Sequence, residues 1–234
     1  MSNASVIISG DLEYKCRIIN PVEYTNEFEM FVRDTFFKYE PMNTHLGSYP
    51  DYIHLDWFRQ QLKRAKSDNV SLGIYINETL IAYAINHVEH IDQNEPNDDN
   101  TNSTLILNET MRKYHEIYLL IDKLHVDLNL YSMFNVKSLF HILLIGVQPQ
   151  YRQLKLANKL ILESIKLAQK INFEVIYAEA TGIYSLNAFL KQGFMNVKTI
   201  EYESYENERG EKTFSGIQTH KGCSIVVKDL REQI

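Results

Sequence analysis

The sequence predicts an α/β (α+β) fold, a mixed central β-sheet flanked by helices, in a single domain of residues 1–234. Three observations predict it. Apolar positions at helical spacing alternate along the chain with short strand-like runs. The most apolar run, residues 138–147, is typical of a central strand buried on both faces. A chain of 234 residues with 44% hydrophobic residues is long and apolar enough to bury a sizeable core.

The first half of the chain predicts a strand, two helices and a β-hairpin. Alternating polarity indicates a strand at residues 14–19, and Asn20-Pro21 then begins a helix that runs to about residue 37. Two prolines and a glycine prevent residues 38–50 from forming one helix. The remaining predicted elements are a second helix at about 52–66 and hairpin strands at 70–76 and 79–88, which turn at Asn77-Glu78.

The second half begins with an acidic loop insert at about residues 89–104, where Asp, Asn, Glu and Ser dominate. Regular elements follow it. Helices are predicted at about 111–127, 154–171 and 185–192, and strands at 138–147, 175–180, 197–205 and 224–227.

Composition excludes several classes of protein. The 24 Lys and Arg against 30 Asp and Glu give a net charge of −6, without the basic cluster that a nucleic-acid or anionic-membrane surface needs. Two cysteines, Cys16 and Cys223, without zinc spacing argue against a disulfide scaffold and a metal site. No run approaches the length of a membrane helix and no basic leader is visible, so we expect a cytoplasmic monomer with small-molecule partners.

The most informative junction is Leu143-Leu-Ile-Gly-Val-Gln-Pro-Gln-Tyr-Arg-Gln-Leu-Lys-Leu-Ala157, a buried strand, a turn and a helix start. Helix N-termini present unpaired N–H groups and a positive dipole end, which together bind phosphate. The junction therefore indicates either a phosphate-binding turn or a plain strand-to-helix connection.

The residues of this junction resemble a known family. Val147-x-x-x-x-Arg152-x-x-Lys155-x-Ala157 is similar to the acyl-CoA signature of the GNAT acyltransferase superfamily, V-x-x-x-x-[RQ]-x-x-G-x-[GA]. Further segments resemble, in the same order, the arylalkylamine N-acetyltransferases of invertebrates. They are Phe36-Phe-Lys-Tyr-Glu-Pro-Met-Asn43, Ala180-Thr-Gly-Ile-Tyr-Ser185, Ile200-Glu-Tyr-Glu203, Gly210-Glu-Lys-Thr-Phe214 and Val226-Val-Lys-Asp-Leu230.

The resemblance implies direct acetyl transfer from acetyl-CoA to a primary amine, most closely an arylalkylamine. Acetyl-CoA would lie where the predicted strands 138–147 and 175–180 separate. Backbone groups of two strand residues would pair with the pantetheine arm, and N–H groups of the turn would hold the pyrophosphate. These cofactor-binding residues are Ile145, Val147, Arg152, Gln153, Leu154, Lys155, Leu156 and Ala157.

Three catalytic candidates follow. An ammonium must lose a proton before it attacks a thioester, and the resemblance assigns the general base to Glu40, which aromatic neighbours and a proline surround. His141 is the second proton-transfer candidate, because the vertebrate arylalkylamine enzymes also have a histidine six residues before the signature valine. Ser185 matches a serine that is implicated in the invertebrate enzymes. Each residue also has a purely structural interpretation. Glu40 would fix the loop before the proline, His141 would be a core histidine, and Ser185 would cap the short helix.

The sequence departs from the family at two positions. Lys155 stands where the signature has a glycine, and Phe189 where many GNAT enzymes have a tyrosine that protonates the CoA thiolate. Aromatics Tyr39, Tyr52 and Trp57 are the candidates for holding the amine, or else are core residues. Two alternatives to an arylalkylamine N-acetyltransferase stay open. Lys155 and Phe189 fit a low-activity protein that binds acyl-CoA, and the same residues fit an acyltransferase for polyamines or for longer acyl-CoA.

Overall fold

The structure is a computed structural model that describes residues 5–9, 12–49, 56–91 and 109–231. Its β-strands are β1 Ser5–Ser9, β2 Leu12–Ile18, β3 Leu72–Ile76, β4 Thr79–His90, β5 Ser138–Val147, β6 Val175–Ala180, β7 Met195–Glu201 and β8 Gly222–Asp229. Its α-helices are α1 Asn26–Val32, α2 Pro41–Leu46, α3 Asp56–Asp68, α4 Glu109–His125, α5 Leu130–Phe134, α6 Leu156–Lys170 and α7 Ile183–Lys191. No helix within these ranges is long and apolar enough to cross a membrane.

The strands form one mixed sheet in the order β1-β2-β3-β4-β5-β6-β8-β7. Every described pair of neighbours is antiparallel except β5 and β6. Those two strands are parallel and pair at Phe140↔Ile176 and His141↔Tyr177. Beyond these rungs β5 continues to Val147 beside β4 alone, so the sheet opens between residues 142–147 and residues 178–180. We call this opening the β5–β6 gap.

The sheet separates two layers of apolar side chains. On one face, Tyr83, Leu139 and Val175 pack with residues of α1, α3 and α4 such as Phe28 and Leu120. On the other face, β5 and β6 pack against α6 and α7 through a second buried set: Phe140, Ile142, Ile161, Ile165, Ile176, Ala178 and Phe189. The β5–β6 gap therefore has a helical layer on each side.

The predicted mixed sheet flanked by helices is confirmed, and the predicted bounds of β5 and β6 agree with the structure. The β3–β4 hairpin turns where predicted, with φ of 46° at Asn77 and 62° at Glu78. Positive φ at both central residues is the geometry of a type I′ turn, one of the two turns that two-residue hairpins favour.

Other boundaries differ from the prediction. The helix expected to run from residue 20 to about 37 is divided into a 3-10 turn (Pro21–Glu23), α1, and a π-helical turn (Arg33–Phe37). The predicted acidic loop begins too early, because residues 89 and 90 still pair in β4. Most of that loop lies outside the described residues. β1 and α5 were not predicted, and α7 begins at Ile183 rather than at Ser185.

Candidate active site

Glu40 lies at the N-terminus of α2, held there by the π-helical turn and Pro41. Its carboxylate accepts hydrogen bonds from the backbone N–H groups of Met42 (3.2 Å) and Asn43 (2.7 Å) and from the Asn43 side-chain amide (2.5 Å). The Thr181 side chain is a further neighbour, close enough to the carboxyl group to lower its pKa. Helices prefer Ser, Thr, Asp or Asn at this position, so capping alone does not explain a glutamate here.

The Glu40 side chain is buried, with 5% of its surface exposed. Burial raises the pKa of its carboxyl group, because removal from water penalises the charged form, and the hydrogen bonds from Asn43 and Met42, together with the nearby Thr181 side chain, oppose that rise. A carboxylate with a raised pKa is a better proton acceptor near neutral pH than an exposed one.

Thr181, a neighbour of Glu40, places the Glu40 carboxyl group beside the end of β6. It follows the last residue of that strand and precedes α7, and its carbonyl accepts a hydrogen bond of 2.7 Å from the Tyr202 hydroxyl. The motif of residues 36–43 and the C-terminal half of the chain therefore meet beside the β5–β6 gap.

Ser185 lies in the first turn of α7, where its hydroxyl donates to the Gly182 carbonyl at 2.9 Å. It is not the residue that caps the helix, since the N-cap is Gly182. Phe189, one turn further, is buried and packs against Phe194 with ring centroids 5.0 Å apart. The sequence-based interpretation of Phe189 as an apolar residue agrees with this packing.

His141 has both ring nitrogens engaged by carboxylates. Nε2 lies 2.6 Å from Glu179 Oε2 and Nδ1 lies 3.2 Å from Glu89 Oε1, while the ring stacks on Tyr177 at 4.3 Å. Burial alone lowers the pKa of His141, but attraction to Glu179 and the two hydrogen bonds outweigh burial and raise the pKa to about 10. The raised pKa favours the imidazolium near neutral pH, and an imidazolium has no free lone pair with which to accept a proton.

The turn between β5 and α6 has the features of an anion site. Arg152, Gln153 and Leu154 belong to a 3-10 turn, and no side chain caps the first N–H groups of α6, those of Leu156 and Ala157 among them. The following side chain, Asn158, has a buried Oδ1 atom that no group in the described residues satisfies. Unpaired donors at a helix N-terminus and an orphaned acceptor fit a ligand that carries phosphate and amide groups.

Lys155 occupies the left-handed region, with φ 55° and ψ 31°, immediately before α6. This conformation explains why glycine stands at the corresponding position of the GNAT signature, because only glycine adopts it without steric cost. The Lys155 side chain is exposed at the start of the helix, so its ammonium adds positive charge to the turn.

The edge of β5 supplies a second feature of the site. Ile145 and Val147 pair with β4 at Ala84 and Ala82, and the other side of the strand faces the β5–β6 gap. In an antiparallel ladder, alternate residues direct their N–H and C=O groups away from the partner strand. Those groups of residues 142–147 are available to an extended ligand.

The three aromatic candidates have different surroundings. Tyr39 is 43% exposed, and the guanidinium carbon of Arg152 lies 3.8 Å from its ring centroid, so this pair joins the residue before Glu40 to the anion site. Trp57 is partly buried and packs against Tyr114 of α4 at 5.6 Å. Tyr52 lies outside the described residues.

Sequence reasoning missed several residues of the site. Thr181 and His220 lie beside the N-terminus of α7. There the Ile183 N–H donates to His220 Nδ1 at 3.2 Å. Burial lowers the pKa of His220, in agreement with a neutral ring that accepts this bond. Glu89 and Glu179, the partners of His141, were also missed. Nothing in the sequence signals these contacts, because they join segments far apart in the chain.

The cysteines are buried thiols in the core. Burial, with the nearby charge of Glu163, raises the pKa of Cys16 to about 12, and burial together with Glu179 and Glu40 raises the pKa of Cys223 well above its usual value. Neither is a nucleophile near neutral pH, since the thiolate is the reactive form.

No model of a known protein family and no curated protein sequence matches the chain. Solved structures do match it. Arylalkylamine N-acetyltransferase 2 from Aedes aegypti is 25% identical, with a TM-score of 0.81 over 93% of this chain and 99% of that one. Polyamine N-acetyltransferase from Drosophila melanogaster, described as an enzyme that forms N-acetylagmatine, is 15% identical, with a TM-score of 0.76 over 92% and 99%.

A third match extends the similarity beyond insects. NAA60 from Arabidopsis thaliana, solved in complex with acetyl-CoA, is 17% identical, with a TM-score of 0.53 over 92% of this chain and 99% of that one. All three of these solved structures are N-acetyltransferases. The chain has the GNAT acetyltransferase fold, and it is similar over nearly its whole length to an insect arylalkylamine N-acetyltransferase.

Proposed function

We propose that this protein transfers an acetyl group from acetyl-CoA directly to a primary amine of the arylalkylamine class. The observation that carries the proposal is the position of buried Glu40 beside the end of β6, where Pro41 lies against Gly182 and Thr181 is close enough to affect the pKa of the carboxyl group. The similarity to the Aedes aegypti arylalkylamine N-acetyltransferase supports the substrate class.

The donor site in this proposal is the gap and the turn beyond it. The backbone edge of β5 at Ile145 and Val147 would pair with the pantetheine arm. The N–H groups of residues 152–157, with the charge of Lys155, would hold the pyrophosphate. The bound acetyl-CoA supplies the activated acyl group as a thioester.

The transfer needs one proton acceptor from the protein. The acceptor amine is an ammonium at pH 7, so a proton must leave before the nitrogen attacks the thioester carbonyl. We assign that proton to Glu40, through one water or through the Thr181 hydroxyl, because Glu40 itself is sealed from solvent. The C–N bond forms, the C–S bond breaks, and CoA leaves as a thiolate.

The thiolate has little need of an acid. A thiol of ordinary pKa, about 8.5, is a good leaving group at neutral pH. Phe189 has no proton to give, and Ser185 supplies the nearest hydroxyl on the same helix. Direct transfer also fits the buried, unreactive state of both cysteines.

The amine would lie on the side of the gap formed by the residues around Glu40. Tyr39 offers an exposed ring there, beside Arg152, for an aryl group or a cation. Trp57 packs on Tyr114 of α4 and would line the amine site only indirectly. A role for Tyr52 in binding the amine stays a prediction.

Two other candidates each rest on an observation. A net charge of −6 and the similarity to the Drosophila polyamine N-acetyltransferase favour a polyamine or agmatine acceptor. Lys155 in the left-handed region and the apolar packing of Phe189 favour a protein that binds acyl-CoA but turns over poorly.

A thiol-release assay distinguishes these candidates. Acetyl-CoA would be incubated with the protein and, separately, tryptamine or dopamine, agmatine or spermidine, and a short peptide. We expect release with the arylalkylamines at least tenfold faster than with the other classes. Faster release with agmatine or spermidine would reassign the substrate. No release with any amine, but a higher melting temperature with CoA, would support the low-activity candidate, and no effect of millimolar CoA at all would reject the acyl-CoA site.

A further inference from the structure

A cluster of buried and partly buried charged side chains lies on the face of β5 and β6 that packs against α4. We call Glu89, His141, Tyr177 and Glu179 the His141 cluster. His141 lies between the two carboxylates, and the Tyr177 hydroxyl donates to both oxygens of Glu89 at 2.9 and 3.0 Å. The second oxygen of Glu179 lies 2.7 Å from Nε2 of His125, at the end of α4.

The cluster stands at the inner end of the β5–β6 gap. His141 and Tyr177 form the last backbone rung between the two strands, and their rings stack at 4.3 Å with 11° between the planes. From that rung β5 runs six residues to Val147, about 20 Å at 3.3 Å per residue, before it reaches the turn that leads into α6. A chain that enters the gap from the α6 end therefore points toward the cluster.

The cluster is fixed from several directions. Glu89 belongs to β4, His141 to β5, Tyr177 and Glu179 to β6, and His125 to α4. Each carboxylate is already paired, so neither can move aside without leaving a buried charge without a partner. An alkyl chain placed against these groups would neither hydrogen bond to them nor find an apolar surface, and displacing them would break a buried ion network.

We infer that the His141 cluster closes the inner end of the gap to long acyl chains and so limits the donor to short-chain acyl-CoA, such as acetyl-CoA. This inference rests on the proposed function, because it assumes that the thioester of the donor enters the gap. It assigns His141 and Glu179 a role in donor specificity, and it disfavours the alternative of a long-chain acyltransferase.

Titration calorimetry of the whole protein with CoA, acetyl-CoA and hexanoyl-CoA tests the inference without an amine. We expect acetyl-CoA to bind within about threefold of CoA, and hexanoyl-CoA to bind at least tenfold more weakly than acetyl-CoA. A Kd for hexanoyl-CoA less than ten times the Kd for acetyl-CoA would overturn the inference and leave the proposed function intact. A failure of CoA itself to bind would reject the proposed function, and the inference with it.

A double variant, His141→Leu with Glu179→Leu, provides the sharper comparison. It removes one charge of each sign and leaves Glu89 hydrogen bonded to the Tyr177 hydroxyl, whereas removal of His141 alone takes the imidazolium from both carboxylates. We expect the ratio of the Kd for hexanoyl-CoA to the Kd for acetyl-CoA to fall below three. The matched control is Lys159→Leu with Glu163→Leu, which removes an ion pair of 3.2 Å on α6 and should leave the ratio unchanged.

An unchanged ratio in a folded His141→Leu/Glu179→Leu protein would contradict the inference, and so would an equal fall in the α6 control. Folding is checked by the melting temperature. If the double variant does not fold, the wild-type ratio decides alone: at least ten supports a closed gap, and a smaller ratio rejects it.

Discussion

Lys155 pays a conformational cost at the start of α6. A side chain in the left-handed region costs about 1 kcal/mol, and glycine removes that cost. Lys155→Gly should therefore raise the melting temperature by about 2–4 °C. It also removes an exposed ammonium from the proposed pyrophosphate site, so we expect CoA to bind roughly threefold more weakly.

Melting curves and a CoA titration measure both effects of Lys155→Gly. Asn172→Gly is the matched control, because Asn172 also has a positive φ, 64°, but lies in the turn after α6. It should leave CoA affinity unchanged. Tighter CoA binding in Lys155→Gly would contradict a favourable role for the lysine charge and would strengthen the low-activity candidate.

His141 predicts a particular dependence of stability on pH. Its pKa is raised to about 10 in the folded protein, against about 6.5 in an unfolded chain. The stabilisation it contributes is fully present below pH 6.5 and is lost as pH rises through about 10. Glu179, whose pKa is lowered, contributes stability above its unfolded pKa that is lost as the solution becomes more acidic.

Urea unfolding of wild type and His141→Gln at pH 6.5, 8 and 9.5 measures this contribution. The difference in unfolding free energy between the two proteins should shrink steadily as pH rises. Taking the difference removes the titration of groups that both proteins share. A difference that stays constant from pH 6.5 to 9.5 would mean that His141 is neutral in the folded protein.

At the scale of elements, Tyr83 ties the π-helical turn to the sheet beside the gap. Tyr83 on β4 lies across Gly146 on β5, and a methyl group on Gly146 would come 2.3 Å from the tyrosine ring. The Tyr83 hydroxyl accepts a hydrogen bond of 3.2 Å from Thr35, inside the turn that precedes Glu40. Gly146 therefore makes room for the residue that positions the Glu40 segment.

Gly146→Ala should destabilise the protein by about 1–3 kcal/mol, because the added methyl overpacks a buried site. Tyr83→Leu removes the ring, so the double variant should lose less stability than the sum of the two single variants. Urea unfolding of all four proteins gives this coupling. Additive losses would show that Gly146 and Tyr83 do not contact each other.

The helix α7 has an apolar residue, Phe189, at the position where many GNAT enzymes have a tyrosine that protonates the CoA thiolate. Phe189→Tyr would bury a hydroxyl beside Phe194, so we expect a loss of about 1–3 kcal/mol of stability and a kcat within about threefold of wild type. Ser185→Ala loses the bond to the Gly182 carbonyl and should lower kcat modestly. A tenfold gain in Phe189→Tyr would show that the wild type lacks a needed acid.

At the scale of the whole molecule, sequence patterns predicted the strands that carry the donor site but not the contacts that complete the acceptor side. β5 and β6 were predictable because each is a short apolar run between polar turns. The π-helical turn was not, because its hydrogen-bond period leaves no distinct apolar pattern. Glu89 resembles the start of an acidic loop in the sequence. In the structure it is a residue of β4, and its carboxylate contacts the ring of His141, 52 residues further along.

Glu40 itself was predicted only through the family resemblance. Its burial depends on a contact with Thr181, 141 positions later in the sequence, and on the packing of α2 near Gly182. Charge, spacing and local propensity do not report such a contact. The complete site is therefore a property of the assembled chain, with the base from the first fifth and the gap from the second half.

The measurement that tests this assembly most directly is the pH–rate profile of Glu40→Gln in the thiol-release assay, with CoA affinity measured beside it. Glutamine keeps the shape of the side chain but cannot take a proton, and a general base is worth about 10²–10⁴-fold. Because burial raises the pKa of Glu40, wild-type activity should fall as the pH drops through that raised pKa. We predict that Glu40→Gln lowers kcat at least 10²-fold, removes this acidic limb and leaves the Kd for CoA within threefold. A variant that keeps more than a third of wild-type kcat, with the acidic limb in place, would contradict the account.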